Sequence, residues 1–444
     1  MQPQRSPSLA IVLSFLWPGL GQWYAGRPGS ALVYALPIAG ALAILLASAA
    51  QGIEQLTLAL FAPSFALTTV VLVVLLGLWR VVAMVDAASA ARPGSLRRPS
   101  ITAAFAAMSL AVVVSHGAVA YYAWAFYDAG SKIFVADGDP DGTPNPVPSG
   151  HVADFQATPA ATPVTVQSRV NILLTGIDSS ERRKHALTDT LIVVSLDPAT
   201  KSAAMISFPR DIAQVRLSDG KVFKGRINEL LGFATDRPER FPDGGLPTLI
   251  RELGHILGVP IHYYAAIDLD GFRKMVDLIG GVDIVNDRAI ADPAYGGWTD
   301  GRPIGFHLAK GPQHLDGDTA LAYVRSRKGL GDSDFTRARR QQEVLVALQK
   351  KMTDPAMLPL LTRVLDVAEG TIRTNFPPGR LWEFLAIGRD IEESSIDRYV
   401  LGPPYAERIA GTDRYYLALD LERVASLSVE LFGDESSYAK AARP

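Results

Sequence analysis

The sequence contains no cysteine. Disulfides, thiolate metal sites and cysteine nucleophiles are therefore excluded, while the compartment stays open, because many exported domains also lack cysteine. Nor is there a surplus of charge. The chain has 43 lysines and arginines against 45 acidic residues, a formal net charge of -2. A dedicated nucleic-acid binder carries a clear basic excess on its binding domain. Compact catalytic signatures are missing too, with no GxxxxGK(S/T), no HExxH and no GxSxG. The 7 histidines are scattered without metal-ligand spacing. His185 lies near Asp189 but reads as an exposed loop histidine.

Apolar residues are abundant, at 48% of 444, and they concentrate in the first third. Three runs, at 31–50, 63–85 and 101–127, are each long enough to span a bilayer, which takes about 20 residues. The third closes on Tyr121, Tyr122, Trp124, Phe126 and Tyr127, a cluster suited to the membrane interface. A shorter apolar stretch, 8–16, runs into WPGLGQWYAGR, where Pro18, Gly19 and Gly21 interrupt helix. That segment resembles the Pro-Gly-x-Gly-Gln-x-Tyr signature of small bacterial two-span membrane segments. It lacks a small-residue cleavage site and further spans follow, so a cleaved signal peptide is not expected.

Basic residues favour the cytoplasmic side. Arg92, Arg97 and Arg98 put the loop between the second and third runs inside, and the loop 51–56, with Glu54 and no basic residue, fits outside. Arg5 and Arg27 fall inside if 8–16 is interfacial or re-entrant, and whatever follows Tyr127 lies outside in either case. The expected organisation is a membrane anchor of three or four transmembrane or re-entrant helices over 1–127, a linker over 128–168, an extracytoplasmic domain over 169–435 and a tail over 436–444. The linker is rich in Pro, Gly, Asp, Ala and Thr, without periodicity. Its DGDPDG, at 137–142, mimics the start of a calcium loop, but Pro148 stands where the bidentate glutamate would have to be.

From Arg169 the pattern changes. NILLTGID, TDTLIVVSLDP and SAAMISFPRD read as strands, and IHYYAAID, GVDIV and DRYVLG as further ones. Helical stretches fall at 246–257, 269–279, 335–352, 381–391 and near 419–431. Strands mixed with helices predict an α/β domain, αβα layered around a central mixed sheet. Acids and arginines recur at the strand ends: Asp178, Asp189, Arg210 and Asp211. Ligands gather outside strand ends in such sheets, although Asp is also ordinary turn chemistry.

Residues 323–342, YVRSRKGLGDSDFTRARRQQ, hold five arginines. The segment 321–326 is readable as a strand or as a helix end; a strand would put Arg325 and Arg327 on one face. From Phe335 the spacing is helical, with Arg337, Arg340 and Gln341 at i, i+3 and i+4 and Asp334 at or just before the N-terminus, where Asp caps well. Lys328 and Arg339 are left for solvent. Guanidinium forks suit phosphate oxygens, and with carboxylates that hold a hard divalent cation they form a phosphoryl-transfer constellation. Magnesium suits such a site better than calcium, since few carboxylates plus phosphate oxygens are its usual shell.

These motifs, in this order and spacing, closely resemble the LytR–CpsA–Psr family: NILLTGID, TDTLIVVSLDPATKSAAMISFPRD, RIN, GVPIHYYAAIDLDGFRKMVDLIGGVDI, HLDGDTALAYVRSR and DSDFTRARRQQ, over about 170–350. The resemblance implies a membrane-anchored, extracytoplasmic phosphotransferase. Such an enzyme moves a glycopolymer phosphate (teichoic acid, capsule or arabinogalactan) from a polyprenyl-pyrophosphate carrier to peptidoglycan, with magnesium. It implies Asp178 and Asp189 as metal-associated, and Arg210, Arg325, Arg327, Arg337, Arg340 and Gln341 as pyrophosphate-binding. Asp211 matches a position expected to orient an arginine. Leu187 stands where the family often has arginine, with Arg182 and Arg183 as nearby substitutes, and Thr336 where it has glycine.

The mechanism this suggests has the pyrophosphate among Arg210, Arg325, Arg327 and Arg337, with magnesium near Asp178 and Asp189. A sugar hydroxyl attacks the proximal phosphorus, and Asp189 or Asp334 takes the proton. Two alternatives stay open: hydrolysis of polyprenyl-pyrophosphate lipids, and a non-catalytic, membrane-anchored wall-binding or regulatory protein. DNA binding is disfavoured, because the arginine helix lies outside and the charge is balanced.

Overall fold

The computed structural model describes residues 5–51, 56, 59–60, 62–133, 169–178, 187–296, 298–299, 302–368, 371–377, 381–412 and 414–441. Of the expected linker, 128–133 are helical, while 134–168 with DGDPDG lie outside the described residues, as do Arg182, Arg183 and His185 and the side chains of Asp178 and Leu187. The chain divides into two compact units, Met1–Gly130 and Ser131–Pro444.

The first unit is helical. Helix α1 (Pro7–Leu16) starts on a proline behind Ser6, whose side chain accepts from the Leu9 N–H. Then come α2 (Leu20–Tyr24), α3 (Pro28–Gln51), α4 (Pro63–Ala91) and α5 (Pro99–Ile133). Helices α3, α4 and α5 are long and apolar enough to cross a membrane. The last two run past the ends expected for them, and α5, with 35 residues, is about 50 Å long against a hydrocarbon core of about 30 Å. The 10 residues of α1 reach only about 15 Å. It cannot cross alone. Instead the chain turns at Gly19, and α1 and α2 both pack on α4.

The PGLGQ segment makes that turn possible. Gly19 has φ +104°, and a Cβ there would lie 2.3 Å from the Ala31 carbonyl oxygen. At Gly21 a Cβ would sit 2.3 Å from the Ala10 oxygen and 2.7 Å from the Ala87 methyl. Gln22 is fully buried and donates to the Ala83 carbonyl at 2.8 Å and to Asp86 Oδ2 at 3.2 Å. The Ser14 hydroxyl donates to Gln22 Oε1 at 3.1 Å. Polar atoms taken out of water need such partners.

The second unit begins with β1 (Val170–Asp178), β2 (Leu187–Asp197), β3 (Ser202–Ser207), β4 (Ala213–Arg216) and β5 (Val222–Arg226). Next are α6 (Leu230–Thr235), α7 (Gly245–Leu257), β6 (Tyr263–Asp268), α8 (Leu269–Leu278), β7 (Val282–Asn286) and β8 (Ile290–Asp292). After two short strands, β9 (Trp298–Thr299) and β10 (Arg302–Pro303), come β11 (Phe306–Leu308), β12 (Gly311–Leu315), α9 (Gly317–Arg325) and α10 (Asp334–Met352). The end comprises α11 (Leu361–Ala368), β13 (Ile372–Thr374), α12 (Leu381–Asp390), β14 (Ile396–Val400), β15 (Ala406–Arg408), β16 (Leu417–Leu419) and α13 (Leu421–Phe432).

Six strands form one sheet in the order β13-β6-β1-β2-β3-β14. It is mixed: β1 runs parallel to β6 and β3 to β14, while β2 is antiparallel to both its neighbours. The period of two sends Leu173, Leu191, Val193 and Ile206 to one face, against Leu246, Leu249 and Leu253 of α7. Leu174, Ile192, Val194 and Met205 go to the other, against Leu345 and Val346 of α10. GVDIV is a strand, but β7 pairs with β12 outside this sheet. Together with β8 and β11 it roofs a second core of Val276, Ile284, Ile290, Phe306, Tyr323 and Val344.

Candidate functional site

Because β2 runs against both neighbours, its start lies beside the ends of β1 and β3. Thr190 pairs with Gly176, and Ile192 with Ser207. Asp189 and Arg210 therefore meet, with Arg210 Nη1 3.3 Å from Asp189 Oδ1. The other wall comes from α9 and α10. Residues 321–325 belong to helix, so the strand reading of that segment is not realised; Arg325 ends α9 and Arg327 lies in the loop beyond it.

The cap of α10 also differs from expectation. Ser333, not Asp334, is the N-cap, and its Oγ accepts from the Thr336 N–H at 3.2 Å. Thr336 Oγ1 returns the bond by accepting from the Ser333 N–H at 2.8 Å, closing a capping box. This is a job that glycine could not do. Asp334 is thereby released from capping and becomes the hub of the arginines. Its carboxylate lies 3.2 Å from Arg337 Nη2, 3.6 Å from Arg210 Nε and 3.9 Å from Arg327 Nη1.

A polar cavity of about 210 Å³ opens here, lined by Asp189, Arg210, Arg325, Arg327, Arg337 and Gln341 among others. An apolar cavity of about 160 Å³ adjoins it, between the sheet and α8, α9 and α10, with Ile192, Ile267, Phe272, Leu321 and Leu345 in its walls. The two share Gly176, Thr190, Leu269, Val324 and Gln341. Gln341 is held at the boundary by donating to Thr190 Oγ1 at 2.9 Å.

The charges interact strongly. Burial works against the Arg210 charge, but the carboxylates of Asp334, Asp189 and Asp211 outweigh it and raise its pKa. Burial lowers the pKa of Arg337. Burial, and then its hydrogen bond with Asp334, push Asp211 up to about 6. Burial also opposes the Asp334 charge, yet the hydrogen bond from Asp211 and the guanidinium groups of Arg337 and Arg210 carry its pKa below the ordinary value. Arg210 Nε and Arg337 Nε are buried without a hydrogen-bond partner. The guanidinium groups of Arg210, Arg325, Arg327 and Arg337 around one polar cavity suit an anionic ligand.

Arg340 is placed otherwise than its spacing predicts. It donates to the Ser326 carbonyl at 2.7 Å, lies 3.2 Å from Asp332 and stacks over Tyr323, away from the cavity lining. Lys328 and Arg339 are exposed. Two residues of the site were not assigned roles by sequence reasoning. Asn228 donates to Asp189 Oδ1 at 3.4 Å, and Arg226 Nη1 donates to Asp211 Oδ1 at 3.0 Å. Both belong to the RIN triplet, whose presence among the motifs was the available signal.

A model of the LytR_cpsA_psr family matches residues 147–431, most of the chain. The chain belongs to the LytR–CpsA–Psr family. Among its relatives is the polyisoprenyl-teichoic acid–peptidoglycan teichoic acid transferase TagU of Bacillus anthracis, 30% identical over 239 residues, covering 54% of this chain and 71% of the relative. The protein of the same name from Halalkalibacterium halodurans is 28% identical over 269 residues, 60% of this chain and 80% of that one. A crystal structure of B. subtilis TagV is 28% identical, covers 60% of this chain and 97% of its own, and superposes with a TM-score of 0.46.

Proposed function

We propose that this LytR–CpsA–Psr protein transfers a phospho-glycopolymer from a polyprenyl-pyrophosphate carrier to peptidoglycan. The carrying observation is the junction of two cavities of opposite character: an arginine-lined polar one and an apolar one sharing five wall residues. A lipid diphosphate has the same two halves. The prenyl chain enters between the sheet and α8, α9 and α10. The diphosphate meets Arg210, Arg325, Arg327 and Arg337, whose donors suit phosphate oxygens. The names of the relatives support the same donor and acceptor classes.

In the reaction a peptidoglycan hydroxyl attacks the phosphorus that carries the glycopolymer. The new O–P bond forms, the bond to the bridging oxygen breaks, and polyprenyl phosphate leaves. Of the two candidate bases, Asp189 lines the polar cavity and accepts the hydroxyl proton, while Asp334 lies behind the lining, paired with the arginines. The arginines stabilise charge on the leaving phosphate without reorganising, because Asp334 and Asp189 already hold them.

Magnesium belongs to this proposal. Among the described residues no group of three His, Cys, Asp or Glu could hold a metal ion. Asp189 is the one described carboxylate lining the polar cavity. Magnesium commonly takes one or two carboxylates and completes its shell with phosphate oxygens and water, so this donor set fits it. Asp189 would hold the ion, with Asp178 as the partner the family resemblance implies. Its chemistry there is neutralisation of the diphosphate.

The proposed setting is a multi-pass protein with the α/β domain outside the cell, carried on α3, α4 and α5. The test is a turnover assay on the full chain with a short-chain lipid-diphosphate donor, run with and without peptidoglycan. Transfer to peptidoglycan, lost in Arg327→Ala with the fold intact, is expected. Release of free product without acceptor at the same rate makes the protein a hydrolase. Full activity in Arg210→Ala with Arg327→Ala overturns the proposal.

A further inference from the structure

The arginine-bearing turn is gripped by a buried carboxylate that lies outside the cavity. Asp292, the last residue of β8, is 2% exposed. Its Oδ2 accepts from the Ser326 hydroxyl at 2.8 Å, the Lys328 N–H at 3.0 Å and the Arg327 N–H at 3.1 Å. Its Oδ1 accepts from the Ala294 N–H at 3.1 Å. A buried charge is normally met by a cation. Here three of its four donors belong to the consecutive residues Ser326, Arg327 and Lys328. From the other side Arg340 donates to the Ser326 carbonyl at 2.7 Å, while Asp332 holds Arg340 at 3.2 Å.

The platform under Asp292 is stiff. It pairs with Phe306 of β11, and Phe306 packs in the second core with Ile290 and Tyr323. The turn includes no regular structure between α9 and α10, so it has nothing of its own to fix where its guanidinium groups point. We propose that Asp292 is a positioning residue: by clamping the backbone of Ser326–Lys328 it aims Arg325 and Arg327 at the diphosphate. The inference rests on the proposed function, since it takes those arginines to be the phosphate ligands.

The experiment measures equilibrium binding of farnesyl pyrophosphate and of farnesol to the full chain in detergent micelles. Asp292→Ala is expected to weaken pyrophosphate binding about tenfold, the effect of losing a charge-assisted hydrogen-bond set, and to leave farnesol binding unchanged. Asp292→Asn, which retains one acceptor oxygen, falls between. In a background of Arg325→Ala with Arg327→Ala, the Asp292 substitution adds nothing, because it acts through those side chains. Equal losses for pyrophosphate and alcohol overturn the inference in favour of a merely structural role. An undiminished Asp292 effect in the arginine-free background overturns it as well. If the arginine pair itself binds pyrophosphate no more weakly than the parent, the site reading fails first, and the clamp with it. Should Asp292→Ala not fold, Asp292→Asn carries the same comparison.

Discussion

Asp211 keeps its proton up to about pH 6, where an exposed aspartate has already lost it. The residue is 6% exposed, and its carboxyl is hydrogen-bonded to Asp334 and touched by Arg226 at 3.0 Å. Two hydrogen-bonded carboxyl groups cannot both ionise cheaply, so below about pH 6 Asp211 holds the proton while Asp334, ion-paired with Arg337 and Arg210, keeps the charge. The folded-state pKa of about 6 lies above the ordinary carboxylate value. The folded chain therefore binds more protons than the unfolded one between about pH 4 and pH 6, and the Asp211 contribution to stability is lost as pH rises through that window. Asp211→Asn is permanently neutral and removes this dependence. Melting temperatures of the parent and variant, followed from about pH 4 to pH 7, should drift in the variant's favour as pH climbs. A gap that stays constant would mean that Asp211 is ionised throughout.

At the scale of elements, α10 decides the geometry of the site, and its first turn decides α10. The Ser333–Thr336 capping box satisfies two of the end groups of the helix. Ser333→Ala should cost about 1 kcal/mol of stability and loosen the turn that presents Asp334 and Arg337. Denaturant midpoints measure the first effect, and a rise in KM for the lipid donor measures the second. Unchanged values for both would show that packing alone holds the turn.

Much of this element was legible in the sequence. The alternation in NILLTGID and TLIVVSLDP places whole faces of the sheet, and the spacing from Phe335 announces a helix. Arg340 shows where legibility ends. Residues i+3 and i+4 diverge by about 100° around a helix, so Arg340 and Gln341 flank Arg337 on opposite sides. Which side meets the ligand depends on Asp332 in the incoming loop, and periodicity carries no trace of that contact. The lining of the apolar cavity was equally hidden. Its residues come from β1, β2, β6, α8, α9 and α10, and only the fold assembles them.

For the whole molecule the decisive question is which side of the membrane holds the arginine site, and the composition supplies its own test. With no cysteine in the chain, any introduced thiol is unique. Ser100 lies exposed at the start of α5, beside the Arg92–Arg98 loop, and Ser394 lies exposed on the α/β unit. Three basic residues in the loop favour the cytoplasm. In the proposed topology the apolar run of α5 carries the chain across, and no other helix long and apolar enough to cross follows among the described residues. In intact cells a membrane-impermeant maleimide should label Ser394→Cys and spare Ser100→Cys until the membrane is opened. Labelling of both in intact cells would remove α5 as a span. The inverse pattern would put the arginine site in the cytoplasm, where there is no peptidoglycan to accept a glycopolymer, and the proposed transfer would have no acceptor.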